Sequence, residues 1–133
     1  MLPDFSFHHI GIAAADIDRT ASYYVKAGYS KTENTFDPIQ NVNICFLSKK
    51  GMPLLELIEP LDETSPVFKV LSKNGVTPYH ICYSVKDIAK SVAELRSLRF
   101  VATSEPVPAC ALDNHKVCFL YNRNVGLIEL VEE

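Results

Sequence analysis

Apolar and polar residues alternate through residues 7–14, placing His9, Gly11 and Ala13 on one face and His8, Ile10 and Ile12 on the other. That two-residue period predicts a strand. The period then lengthens. Ile17, Ala21, Tyr24 and Val25 recur at helical spacing, Asp16 is suited to cap the first turn and Gly28 ends the run, so a helix is predicted over 17–27. Residues 29–36 alternate weakly and predict a strand, and Asp37-Pro38 reads as a turn. Residues 42–48 and 54–59 read as two further strands joined by Lys49-Lys50-Gly51-Met52-Pro53. Beyond Pro60, Ser65 as cap, Pro66 at the first helical position and Gly75 as stop predict a short helix over 67–73. The same order then returns. A strand is predicted over 79–85, a cap at Asp87, and a helix over 88–98 with Ile88, Val92, Leu95 and Leu98 on one stripe. A strand over 100–104, a loop over 105–114 stiffened by Pro106 and Pro108, and strands over 116–121 and 127–131 complete the chain.

The return is a sequence repeat. His9-Ile10 and Asp16-Ile17 reappear 71 residues later as His80-Ile81 and Asp87-Ile88. Cys45-Phe46-Leu47 and Leu54-Leu55-Glu56-Leu57-Ile58-Glu59 reappear 73 residues later as Cys118-Phe119-Leu120 and Leu127-Ile128-Glu129-Leu130-Val131-Glu132. The unit is strand-helix-strand-strand-strand, used twice, and an internal repeat of this kind defines the fold class before any single element does. The expectation is an α+β protein of one domain spanning 1–133, with module one at 5–60, an ordered connector at 61–77 and module two at 78–133.

Composition narrows the partners. A net charge of -3 gives no basic footprint, which argues against nucleic acid as a partner. No apolar run approaches the roughly 18 residues of a membrane span. The first residues, Met1-Leu2-Pro3-Asp4, lack the cationic start of a signal peptide, and Cys45, Cys82, Cys110 and Cys118 show no C-x-x-C spacing. The expectation is a cytoplasmic protein with reduced cysteines, mostly core residues.

The chemistry resides in the polar residues that the repeat carries within apolar strands: a His in each first strand and a Glu in each last strand. An ionised Glu inside such a strand needs a partner or a cation. His9, Glu56, His80 and Glu129 together offer two imidazoles and two carboxylates, a donor set for a divalent first-row metal with positions left for water or substrate oxygens. Small neighbours on the histidine faces (Gly11, Ala13, Cys82, Ser84) leave room for a cavity. His8 points to the other face, and His115 stands at a loop-strand junction where exposure is expected. Glu59 and Glu132 repeat as well, but three residues past Glu56 and Glu129 they fall on the opposite face as rim carboxylates.

With these residues in place, the chain resembles the vicinal-oxygen-chelate superfamily, which includes glyoxalase I, methylmalonyl-CoA epimerase, extradiol dioxygenases and bleomycin-resistance proteins. Residues 54–66 (LLELIEPLDETSP), 79–88 (YHICYSVKDI) and 126–130 (GLIEL) are similar to its epimerase and small glyoxalase I branch. The resemblance implies paired βαβββ modules forming an open, cupped mixed sheet around a metal site, helices on the outer face. It implies Ni, Co, Mn or Zn held by His9, Glu56, His80 and Glu129, with Glu129 first and Glu56 second as proton-transfer residues. A second Glu argues against extradiol dioxygenases, which use two His and one carboxylate.

Within that branch, residues 78–82 (PYHIC) and 113–117 (DNHKV) are similar to glyoxalase I proteins. Some epimerases carry a carboxylate four residues after a Gln in the third strand, where this chain has Gln40 and then Ile44. The expected function is therefore glyoxalase I-like: the hemithioacetal of a 2-oxoaldehyde and a thiol such as glutathione becomes a 2-hydroxyacyl thioester. The alternatives are methylmalonyl-CoA epimerase and a non-catalytic small-molecule binding or resistance protein. The resemblance is compatible with a site closed within one chain and with a homodimer sharing sites. Lys49-Lys50 is the one basic pair that stands out for a CoA phosphate, and the 105–114 loop is the candidate substrate-contacting segment.

Overall fold

The computed structural model describes residues 4–133; residues 1–3, on which the signal-peptide expectation partly rests, lie outside the described residues. The chain runs β1 (Ser6–Ala13), α1 (Ile17–Lys26), β2 (Ser30–Lys31), β3 (Thr35–Asp37), β4 (Val42–Ser48), β5 (Leu55–Pro60), α2 (Pro66–Asn74), β6 (Thr77–Val85), α3 (Ile88–Ser97), β7 (Val101–Ala102), β8 (Val107–Ala109), a 3-10 turn (Cys110–Leu112), β9 (His115–Asn122) and β10 (Gly126–Glu132). Among the described residues this is an α+β fold of three helices with parallel and antiparallel strand pairing in each unit, the expected class. Among the described residues, no helix is long and apolar enough to cross a membrane.

Two compact units divide the described residues: His9–Tyr79, and His80–Glu133 with residues 4–8. In the first, β5 lies parallel to β1 and antiparallel to β4, whose other edge takes β2 and β3. In the second, β10 lies parallel to β6 and antiparallel to β9, whose other edge takes β7 and β8. The cores follow the repeat. Ile17, Ala21, Cys45, Leu47, Leu55 and Leu57 of the first are matched by Ile88, Val92, Cys118, Leu120, Ile128 and Leu130 of the second. Burial pushes the Cys45 thiol up to about 11 and raises that of Cys118 too, so both remain uncharged packing groups. Phe5 packs in the second unit's core, its ring centre 5.4 Å from that of Tyr83.

Each of α1 and α3 is fixed at its N-terminus by two carboxylates. Asp16 Oδ1 accepts from Arg19 N–H at 3.0 Å and Asp87 Oδ1 from Lys90 N–H at 3.1 Å, as the cap positions predict. The second acceptors come from the last strand of each unit: Glu59 Oε2 accepts from Ile17 N–H at 2.9 Å and Glu132 Oε2 from Ile88 N–H at 3.0 Å. Negative charge there also complements the helix dipole. Asp87→Ala is expected to destabilise the protein by about 1 kcal/mol, the usual loss for an exposed cap, with Glu132 retaining part of the anchoring. Urea unfolding checks it, and a loss far above that would mean Asp87 holds more than the cap.

Four local expectations change. Residues 29–36 form two short strands, because Thr32 turns back on β4: its N–H donates to Phe46 O at 3.0 Å and its Oγ1 accepts from Phe46 N–H at 2.8 Å. A side chain thereby takes a ladder position and interrupts the strand. The predicted strand over 100–104 shortens to β7, with Thr103 N–H donating to Phe119 O at 2.9 Å. Leu98 leaves the buried stripe of α3, being its C-terminal cap and 53% exposed. The 105–114 segment is partly regular, since β8 pairs with β9 and buries Ala109 against Cys82, Val117 and Val131.

Candidate functional site

The strand registers place each unit's polar residues on a common pattern. In the first unit Glu56 of β5 lies beside Gly11 of parallel β1, two residues beyond His9. In the second, Glu129 of β10 lies beside Cys82 of parallel β6, two residues beyond His80. The spacing brings His9 Nε2 to 3.2 Å from Glu56 Oε1 and His80 Nε2 to 3.2 Å from Glu129 Oε1. His9, Glu56, His80 and Glu129 are 0%, 4%, 3% and 3% exposed. Ionisable side chains buried to this degree are costly in an ordinary apolar core, so each carboxylate needs a paired group or a cation at its oxygens.

Each pair has an aromatic neighbour that strand parity does not reveal. Phe46 stands opposite Glu56 on antiparallel β4, and its ring meets that of His9 edgewise, centres 5.7 Å apart at 80°. Phe119 stands opposite Glu129 on β9 and meets His80 at 5.2 Å and 86°. The signal for both is the repeated Cys-Phe-Leu triplet. The triplet by itself gives its phenylalanines no role, because which strand lies across from a glutamate is a matter of register.

Other candidates take other roles. Glu59 and Glu132 hold helix N-termini. His115 is exposed, with Nδ1 2.6 Å from Glu132 O. Lys49 donates to Ala27 O at 2.7 Å and lies 5.8 Å from the Tyr29 ring centre, which occupies half of the basic pair considered for phosphate.

Imidazole nitrogen with carboxylate oxygen, buried and presented twice, fits a divalent first-row ion, which takes neutral and anionic donors of this kind together. The separation within each pair is the span of a long hydrogen bond, so each pair is already assembled.

Residues 8–119 match the family model described as "Glyoxalase/Bleomycin resistance protein/Dioxygenase superfamily". The chain is 32% identical over 127 residues to the uncharacterized protein YqjC of Bacillus subtilis, covering 93% of this chain and 89% of that protein. It is 28% identical over 129 residues to the ethylmalonyl-CoA/methylmalonyl-CoA epimerase of Cereibacter sphaeroides, covering 92% and 94%. Among solved structures, a variant of Streptomyces coelicolor methylmalonyl-CoA epimerase in complex with 2-nitronate-propionyl-CoA superposes with a TM-score of 0.81 at 28% identity, covering 96% of each chain. These similarities correct the expected activity. The relatives named for an activity are enzymes, as expected, but CoA-thioester epimerases and not glyoxalase I, so the hemithioacetal reaction is set aside. The physical reason is that the framework the branches share cannot separate them, and Ile44, whose departure from the epimerase pattern favoured a glyoxalase, is a buried residue of β4. On the extent of the family match and the assembled histidine-glutamate pairs, this chain belongs to the glyoxalase/bleomycin resistance/dioxygenase superfamily.

Proposed function

We propose that this chain epimerises the carbon next to the carbonyl of a small acyl-CoA thioester, with methylmalonyl-CoA as the model substrate. His9, Glu56, His80 and Glu129 would hold one divalent ion, Ni, Co, Mn or Zn. The observation that carries the reading is the buried His-Glu pair made twice at 3.2 Å, in a chain similar to epimerases of such thioesters. When bound, a divalent ion supplies Lewis-acid stabilisation of negative charge developing on the thioester oxygen.

The chain's own residues do the rest. Glu129 takes the proton from the α-carbon, and the electron pair of the broken C–H bond is delocalised onto the thioester oxygen. Glu56, its repeat partner, enters the step as the neutral acid carrying a solvent-derived proton; it gives that proton to the opposite face as the pair returns to form the new C–H bond, and is left as the carboxylate. Burial keeps water from competing for the proton.

The test is deuterium entry from solvent. Protein reconstituted with one equivalent of cobalt(II) is expected to place deuterium at the α-carbon of methylmalonyl-CoA and to interconvert its two epimers. Stoichiometric metal with neither exchange nor interconversion would overturn the assignment.

A further inference from the structure

We infer that Phe46 and Phe119 are positioning residues for the two histidines, each held in turn by a threonine. This rests on the proposed metal site and adds a supporting layer to it. His9, Phe46 and Glu56 form a closed set in the first unit: Phe46 and Glu56 stand opposite each other across β4 and β5, the Phe46 ring meets the imidazole edgewise, and the imidazole Nε2 meets the carboxylate. His80, Phe119 and Glu129 repeat the set across β9 and β10. An imidazole turns about its Cβ–Cγ bond with a broad preference, so packing against its ring has to fix the angle at which Nε2 is presented. Ring planes at 80° and 86° to a neighbouring phenyl provide that restraint in both units.

The phenyl groups are themselves anchored by backbone hydrogen bonds. Thr32 N–H donates to Phe46 O at 3.0 Å while Phe46 N–H donates to Thr32 Oγ1 at 2.8 Å. Thr103 N–H donates to Phe119 O at 2.9 Å, and Thr103 Oγ1 donates to the same carbonyl at 3.3 Å. Both threonines directly follow the short outer strands β2 and β7, and they obey the same 71-residue offset as the histidines. Generic core packing would not require the phenylalanine, its ring angle and its threonine to recur together. Supports of this kind orient ligands, and their loss typically lowers metal affinity about 10–100-fold.

The experiment uses cobalt(II) as probe on the full chain, reading affinity by calorimetry and ligand geometry by the visible d–d spectrum. Phe46→Leu and Phe119→Leu keep apolar bulk and remove the ring. Each is expected to weaken cobalt binding at least about tenfold and to alter the spectrum, beyond any change in the unfolding of metal-free protein. Thr32→Ala and Thr103→Ala leave the rings in place and are expected to act in the same direction by less, which also serves if a leucine variant fails to fold. Cobalt affinities within about twofold of wild type and an unchanged spectrum in folded leucine or alanine variants would overturn the inference alone. Failure of the wild-type protein to bind cobalt would overturn the metal reading and this inference with it.

Discussion

Glu129→Gln is expected to slow α-proton exchange of methylmalonyl-CoA by on the order of a thousandfold, within the range general acid–base catalysis supplies. The amide is nearly isosteric with the carboxylate, so β10 keeps its pairing with β6 and β9 and the fold persists. What disappears is the capacity to accept a proton. The imidazole of His80, 3.2 Å from Glu129 Oε1, would face a neutral oxygen, so metal affinity is expected to fall as well. Exchange measured at saturating cobalt(II) separates the two effects: a defect that persists at saturation belongs to proton transfer. The companion Glu56→Gln locates the second proton. If Glu129 acts on one epimer and Glu56 on the other, each variant should lose exchange with opposite preference between the epimers. Full exchange in Glu129→Gln with both epimers would move the base elsewhere.

The second large effect concerns stability. Leu130→Ala is expected to destabilise the protein by about 2–5 kcal/mol, the transfer loss plus the cavity left in a core that can only partly close. Leu130 is fully buried on β10, on the face opposite Glu129, and packs with Val85, Ile88, Leu95 and Leu120. Its repeat partner Leu57 sits equally buried in the other unit's core, so Leu57→Ala should produce a similar loss. Domains of this size are stable by only about 5–15 kcal/mol, so either substitution removes a large share. Urea unfolding with an unchanged m-value reads the loss. A change below about 1 kcal/mol would mean that the surrounding side chains collapse into the space.

Much of the framework is legible in the order of residues. Strand parity places His9 on the face of Gly11 and His80 on the face of Cys82, and those are the registers in which Glu56 and Glu129 arrive. Asp16 and Asp87 read as caps because a side-chain oxygen next to helical spacing has one local use. Glu59 and Glu132 stand out in the chain only as repeated carboxylates on the far face. That they reach the N–H groups of Ile17 and Ile88, 42 and 44 residues away, depends on tertiary placement. The 105–114 segment reads as a loop because its prolines and polar residues give no clean period, yet β9 draws three of its residues into a strand. The expectation of a glyoxalase fails for a related reason. Both reactions are compatible with the same metal-ligand pattern, so a reading built on that pattern does not choose between them.

The doubled strand-helix-strand-strand-strand order, the buried faces and the four candidate ligands are properties of the chain as written, because periodicity and repetition exist in one dimension. Folding alone settles that each histidine meets its glutamate at 3.2 Å, that a phenylalanine packs edgewise on each imidazole, and that a threonine holds each phenylalanine. Those contacts join residues tens of positions apart, and the register between strands that sets them is fixed by the packing of both faces at once.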